Sequence, residues 1–148
     1  MTLPATDRAA AFRKTREAHL TEVSEDYVEL IGDLIAECGE ARLTDIAERL
    51  GVTQATASKV VTRLRRDGLV ENRPYRSIFL TEQGKRIADI SRERHRIVFD
   101  FLIALGLDAP VAHADSEGIE HHVSDVTLIK LQELTRRLRA TEPSLPAS

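Results

Sequence analysis

Apolar residues recur at three- and four-residue spacing along most of the chain, and that period predicts six helices. Over residues 12–37 the stripe is Tyr27, Leu30, Ile31, Leu34 and Ile35, with Gly39 as the stop. A short helix over 41–50 follows, closed by Gly51-Val52-Thr53. Thr53 is a fair N-cap for the next helix, 54–66, whose buried stripe is Ala57, Val60, Val61 and Leu64. The period then switches to two: 69–73 and 77–80 read as strands around Pro74-Tyr75-Arg76. Helix, tight turn, helix and hairpin is the order of a winged helix-turn-helix. Helical spacing returns over 81–105, about 37 Å of helix, which is longer than a small winged domain needs and so predicts packing on another chain or subdomain. Two more helices are predicted, one opening at Asp108-Ala109-Pro110 and running to about 122, the other capped by Ser124 and running to about 139. Residues 1–11 lack an apolar period and are expected to fray, and 141–148 reads as a Pro/Ser tail.

Composition narrows the classes. In 148 residues there are no Trp and only 4% aromatics, so the core must be aliphatic, which suits helices better than a sheet sandwich. The single cysteine, Cys38, excludes an internal disulfide framework and a thiolate zinc finger. No run approaches the ~18 apolar residues of a membrane span and the first residues lack a signal-peptide core, so a cytoplasmic protein without a membrane partner is expected. The net charge of -3 argues weakly against nucleic acid, but it is unevenly spread. From Lys59 to Arg86 eight basic residues face three acidic ones, a local +5 inside an acidic chain.

That basic segment coincides with the second short helix and the wing. Away from its apolar stripe the helix presents Gln54, Ala55, Thr56, Ser58, Lys59, Thr62 and Arg63, small and hydrogen-bonding groups suited to base edges in a major groove. Lys59, Arg63 and the wing residue Arg76 are better suited to phosphates. Alone, such a face is an ordinary solvated one; combined with the Gly turn, the hairpin and the local charge, it points to double-stranded DNA.

A second constellation is unexpected in a bare DNA reader. Asp26 and Glu29 stand three apart on the first long helix, and Glu117, Glu120 and His121 stand at i, i+3 and i+4 far along the chain. Two carboxylates and an imidazole on one helical face call for a cation, although surface helices often carry Glu and His. His95, on the long fourth helix, could face the same interior. Four carboxylates, two imidazoles and no thiolate suit Mn(II), while the imidazoles also admit Fe(II), Co and Zn. His122 falls on another helical face, and His113 and His19 lack a carboxylate at matching spacing. No nucleophile elbow or phosphate-binding glycine loop is present, so no organic cofactor is expected.

The stretches Glu25-Asp26-Tyr27-Val28-Glu29, Gly51-Val52, Tyr75-Arg76, Leu80-Thr81, Arg94-His95 and Glu117-Gly118-Ile119-Glu120-His121-His122 resemble those of metal-dependent repressors of the diphtheria toxin repressor family, and within it the manganese transport regulators. The resemblance covers about residues 22–139. It implies that Asp26, Glu29, His95, Glu117, Glu120 and His121 match the ligands of a two-metal Mn(II) site. Iron-type members of the family carry Met at the position of Asp26 and Cys at that of Glu120, so both residues here point to the manganese branch.

The expected fold is therefore mainly α: an N-terminal extension over 1–22, partly disordered or continuing the first helix; a winged helix-turn-helix with a small β-hairpin wing over 23–84; an all-helical metal-binding and dimerisation domain over 85–140; and a disordered tail. The expected function is Mn(II)-responsive repression of manganese uptake genes by a homodimer on a pseudo-palindromic operator, with two ions per chain. Its rivals are a repressor of the same fold that answers to iron or another metal, a winged-helix regulator that responds to an organic ligand or operates without one, and a small dinuclear metalloenzyme.

Overall fold

The structure, a computed structural model, describes residues 4–74 and 77–141, less the side chains of Ala18 and Leu20. It divides into two compact units between Arg92 and Glu93. The first contains α1 (Ala5–Cys38), α2 (Leu43–Leu50), α3 (Gln54–Arg66), β1 (Val70–Arg73), β2 (Ser77–Leu80) and the start of α4 (Glu82–Ala104). The second contains the rest of α4, then α5 (Ala109–Ile119) and α6 (Asp125–Thr141).

Helix α1 begins seven residues before the apolar period does. Its opening turns are rich in alanine, arginine and lysine, strong helix formers that need no buried stripe, so the helix starts where propensity allows. Further along, Tyr27, Val28, Ile31 and Leu34 are buried against Ile46 and Ala47 of α2 and Ala57, Val61 and Leu64 of α3. Val60, expected in the stripe of α3, packs only at the edge of this core. Gly51 takes a left-handed φ of 66° at the α2–α3 turn, a conformation open to glycine at no steric cost. Thr53 caps α3 as expected, its hydroxyl accepting from the Thr56 amide at 3.1 Å.

The wing is an antiparallel hairpin in register Val70↔Leu80, Glu71↔Phe79, Asn72↔Ile78 and Arg73↔Ser77. Val70, Ile78 and Leu80 turn into the core. Two polar ties fix the hairpin to the helices. Ile78 donates its amide to the Ala41 carbonyl at 2.8 Å, and Ser77 donates its hydroxyl at 2.7 Å to Glu40, which Arg42 also contacts at 2.7 Å. Arg65 of α3 donates to the Asn72 side chain of β1 at 2.9 Å. At the far end of the wing the Thr81 hydroxyl accepts from the Gly84 amide at 3.1 Å and donates to the Gly68 carbonyl at 2.6 Å, which starts α4.

In the second unit the buried core is small: Val98 and Leu102 of α4, Ala112 of α5 and Leu128 of α6. Asp108 caps α5 through the Val111 amide at 3.2 Å, with Pro110 in the first turn. The helix stops at Ile119, short of the expected 122. Ser124 already caps α6 through the Thr127 amide, so the chain must turn between the two helices. Leu105, Val111, Ile119, Val126, Ile129 and Leu134 are exposed apolar residues of this unit.

Gly84 and Glu40 each generate a stability prediction. A Cβ on Gly84 would sit 2.1 Å from the Leu69 carbonyl oxygen, so Gly84→Ala should cost about 1–3 kcal/mol in denaturant unfolding, whereas Gly118→Ala, with nothing within 4 Å, should not destabilise. The hydrogen bond from Ser77, helped by Arg42, holds the Glu40 carboxyl below its ordinary range. A carboxyl depressed by folding stabilises above its unfolded pKa, and the contribution is lost as pH falls through the folded value. The melting-temperature gap between wild type and Glu40→Gln should therefore be open at pH 7 and close as pH falls below the ordinary glutamate range of ~4.3; an unchanged gap at low pH would refute the assignment.

Candidate nucleic-acid interface and metal centre

Burial of Ala57, Val61 and Leu64 turns the opposite face of α3 outward. Gln54, Ala55, Thr56, Ser58, Lys59 and Thr62 are exposed, as their spacing predicts. Arg63 differs: it is half-buried, with its guanidinium 3.4 Å from the Ser24 hydroxyl of α1. The α3 surface thus has two flanks. On one, Gln54, Ser58, Thr62 and Arg65 line a groove with Arg42 and Thr44 at the start of α2 and Asn72 on the wing. On the other, Arg63 reaches α1. Tyr75 and Arg76 lie outside the described residues.

Sequence reasoning missed Arg42, Thr44 and Arg65. Arg65 continues the row Gln54, Ser58, Thr62 at helical spacing and could have been found that way. Arg42 and Thr44 reach the groove because Ala41 pairs with Ile78 of the wing, a long-range contact without a local signal.

The second unit gathers the acidic and imidazole groups. His95 stands on α4 with Nδ1 at 3.1 Å from Glu120 Oε2 and 3.5 Å from Glu117 Oε1. One ligand atom from each of the three lies within 4.8 Å of the others. His121 brings Nε2 to 3.2 Å from the other Glu120 oxygen. Glu120 is 1% exposed, and neither of its oxygens receives a hydrogen bond of good geometry among the described residues. What faces them is imidazole nitrogen on both sides. Burial opposes charge on this carboxyl, but His121 and His95 outweigh it and hold the group below its ordinary range.

The backbone of this turn is clamped by the residue before His95. Arg94 donates from Nε and Nη2 to the Glu120 carbonyl at 3.1 and 2.8 Å, from Nη2 also to the Val123 carbonyl, and from Nη1 to Asp125 at 2.7 Å. Glu120 caps the end of α5 and His121 follows in the turn, so the three residues do not share one helical face as their spacing predicted. Glu117 is the exposed member and Glu120 the buried one, yet both approach His95. The His95 ring stacks with Phe99 and His113, whose own rings lie 4.2 Å apart. His113 thus borders the cluster, His122 is exposed, and His19, contrary to expectation, has a carboxylate partner at i+3, Glu22 at 3.3 Å.

Asp26 and Glu29 stand on α1 in the first unit, both half-buried, and Glu29 accepts from the Ser91 hydroxyl at 2.9 Å. A buried carboxylate without an aligned donor, set among imidazole nitrogens and a further carboxylate, fits a divalent cation bound by oxygen and nitrogen. Cys38, exposed at the end of α1, adds no thiolate to the cluster.

Comparison with known proteins supplies the family. Residues 19–78 match the family profile described as iron dependent repressor, N-terminal DNA binding domain, and residues 81–143 match iron dependent repressor, metal binding and dimerisation domain. The transcriptional regulator MntR of Escherichia coli O6:H1 is 50% identical over 131 residues, which are 88% of this chain and 84% of that protein. An HTH-type transcriptional regulator MntR of Bacillus velezensis is 38% identical over 116 residues, 78% of this chain and 82% of that one. Among solved structures, the manganese regulator SloR aligns at a TM-score of 0.69 and 29% identity over 76% of this chain. A manganese-dependent transcriptional repressor in complex with manganese aligns at 0.68 and 30% over 76%. The chain spans about half the length of these two structures. The matched proteins regulate transcription, so the metalloenzyme reading falls away. The chain belongs to the iron dependent repressor family, transcription regulators that join an N-terminal DNA-binding domain to a metal-binding and dimerisation domain.

Proposed function

We propose that this repressor answers to Mn(II) and represses manganese uptake genes, acting in the cytoplasm as a homodimer on a pseudo-palindromic operator. The observation that carries the metal reading is Glu120, a carboxylate buried between two imidazoles with no aligned hydrogen-bond donor. The proposed ligands are Asp26, Glu29, His95, Glu117, Glu120 and His121, sharing two ions per chain. Four carboxylates and no thiolate form a hard set, which favours Mn(II) over softer ions. The manganese named in the SloR structure and in the manganese-bound repressor supports the same choice.

A bound ion supplies positive charge at the carboxylates and a demand for fixed coordination. The chain's own residues prepare for it. Arg94 holds the Glu120 carbonyl and the turn beyond it, so Glu120 and His121 are positioned by backbone rather than by loop flexibility. Stacking on Phe99 and His113 restricts the His95 ring. Metal occupancy in this reading biases the conformations open to the DNA-binding unit. Linkage then requires operator DNA to tighten metal binding by the factor by which metal tightens DNA. The exposed apolar residues of the second unit supply a surface for the second protomer.

Chelation should abolish operator binding and Mn(II) should restore it, with Mn(II) affinity, read by calorimetry, rising by the same factor on adding operator. His95→Ala and Glu120→Ala should remove the metal dependence; operator binding indifferent to chelator and to both substitutions would sink the proposal. On the DNA side, Gln54→Ala should change base preference, whereas Arg65→Ala should weaken all sequences alike and flatten the salt dependence by about one contact. A uniform loss for Gln54→Ala would contradict base reading.

A further inference from the structure

Residues 5–18 of α1 precede the region matched by the family's DNA-binding profile, which starts at 19, yet they are helical from Ala5. Four basic residues, Arg8, Arg13, Lys14 and Arg16, stand here against two acidic ones, Asp7 and Glu17, a local charge of +2 in a chain of net -3. All four are exposed, and among the described residues none of their side chains enters an ion pair or a hydrogen bond. At the helical period of about 100° per residue, Arg8, Arg13 and Arg16 fall within one sector of about 140°, with Phe12 in its middle. Three arginines on one face, unpaired among the described residues, offer a surface to an anion.

The continuity of α1 relates that surface to the recognition helix. Arg63 meets α1 at Ser24, so the arm leaves from the flank of α3 opposite the groove shared with the wing. From Ser24 to Arg8 is sixteen residues, about 24 Å of helix, or about seven steps at ~3.4 Å along a DNA strand. Apolar occupants fit poorly. Phe12 is 60% exposed, but its helical neighbours on that face are Ala5 and Ala9, and burying one Phe yields about 1.5–3 kcal/mol, too little to hold a second copy or a membrane surface by itself. Charge is what this face offers, and the polyanion that the same unit already binds is DNA.

We propose that Arg8, Arg13 and Arg16 contact phosphates flanking the half-site read by α3, a sequence-independent clamp added to the family's reading head. The proposal rests on DNA binding by the first unit. It is tested with the full chain loaded with Mn(II), on a duplex that the protein selects from a random library. One version is trimmed to the shortest length that still binds, and another is extended by ten base pairs of arbitrary sequence on each side. Wild type should bind the extended duplex more tightly, and its plot of log affinity against log salt should be steeper than that of the triple variant R8A/R13A/R16A by about 2–3 per chain, from ~0.9 per phosphate contact. The variant should lose the flank advantage and keep wild-type affinity for the trimmed duplex; alanine preserves helix propensity, which circular dichroism verifies. A variant that retains both the flank advantage and the wild-type salt slope overturns the clamp. So does a triple variant whose dimer dissociates and whose affinity for both duplexes falls alike, since the arm would then serve the second copy. Failure of wild type on both duplexes would instead remove the DNA-binding premise.

Discussion

An ionised carboxylate taken out of water carries a penalty of several kcal/mol unless its surroundings answer it, and Glu120 is about as buried as a side chain can be. The local architecture of the second unit follows from that constraint. His95 and His121 must approach from two sides, which places one on α4 and the other in the turn after α5. The turn must be rigid, and Arg94 makes it so by holding the Glu120 and Val123 carbonyls together with Asp125. These carbonyls belong to the end of α5 and the turn beyond it, where a guanidinium favours the helix dipole as well as the hydrogen bonds. Apolar burial in this unit is slight, resting on Val98, Leu102, Ala112 and Leu128. Charge complementarity therefore carries an unusual share of its order, and a cation at the cluster would stabilise the fold as it binds.

The first unit is built on the opposite principle. Its core draws apolar residues from α1, α2, α3, both strands and α4, and polar groups serve mainly to set the wing. Glu40 with Ser77 and Arg65 with Asn72 connect the hairpin to the helices through side chains of fixed geometry. A DNA reader needs this, because base contacts tolerate little misplacement of the helix that makes them. The two units differ in what holds them: the first has the larger apolar core, and the second gathers charged groups around a small one.

The sequence made the elements legible where one residue type decides a boundary. Thr53 before Gln54 and the Asp67-Gly68 pair bracket α3, and the observed bounds coincide with those read from the period. Boundaries set by other forces were less visible. The start of α1 depends on propensity without an apolar stripe, and the end of α5 depends on Arg94, twenty-six residues away from the carbonyl it holds. At the cluster the spacing of Glu117, Glu120 and His121 singled out residues that stand together in the structure, while their differing burial was invisible to a helical wheel, because the helix ends among them. Arg42 and Thr44 were unreadable for the same reason as any long-range contact: the pairing of Ala41 with Ile78 brings them to the groove.

Net charge, a weak argument against nucleic acid at first sight, becomes informative once its parts are separated. Residues 59–86, from the recognition helix through the wing to the start of α4, carry +5 and the α1 arm +2, while the offsetting acidic residues lie elsewhere in both units and include four proposed ligands. Each divalent ion bound there makes the whole protein less repulsive to phosphates, so part of any metal dependence is simple electrostatics. That part is limited by screening, since exposed charges more than ~8 Å apart are largely uncoupled at physiological ionic strength. Raising the salt therefore removes the charge contribution, so a metal dependence that survived at high salt would have a conformational origin.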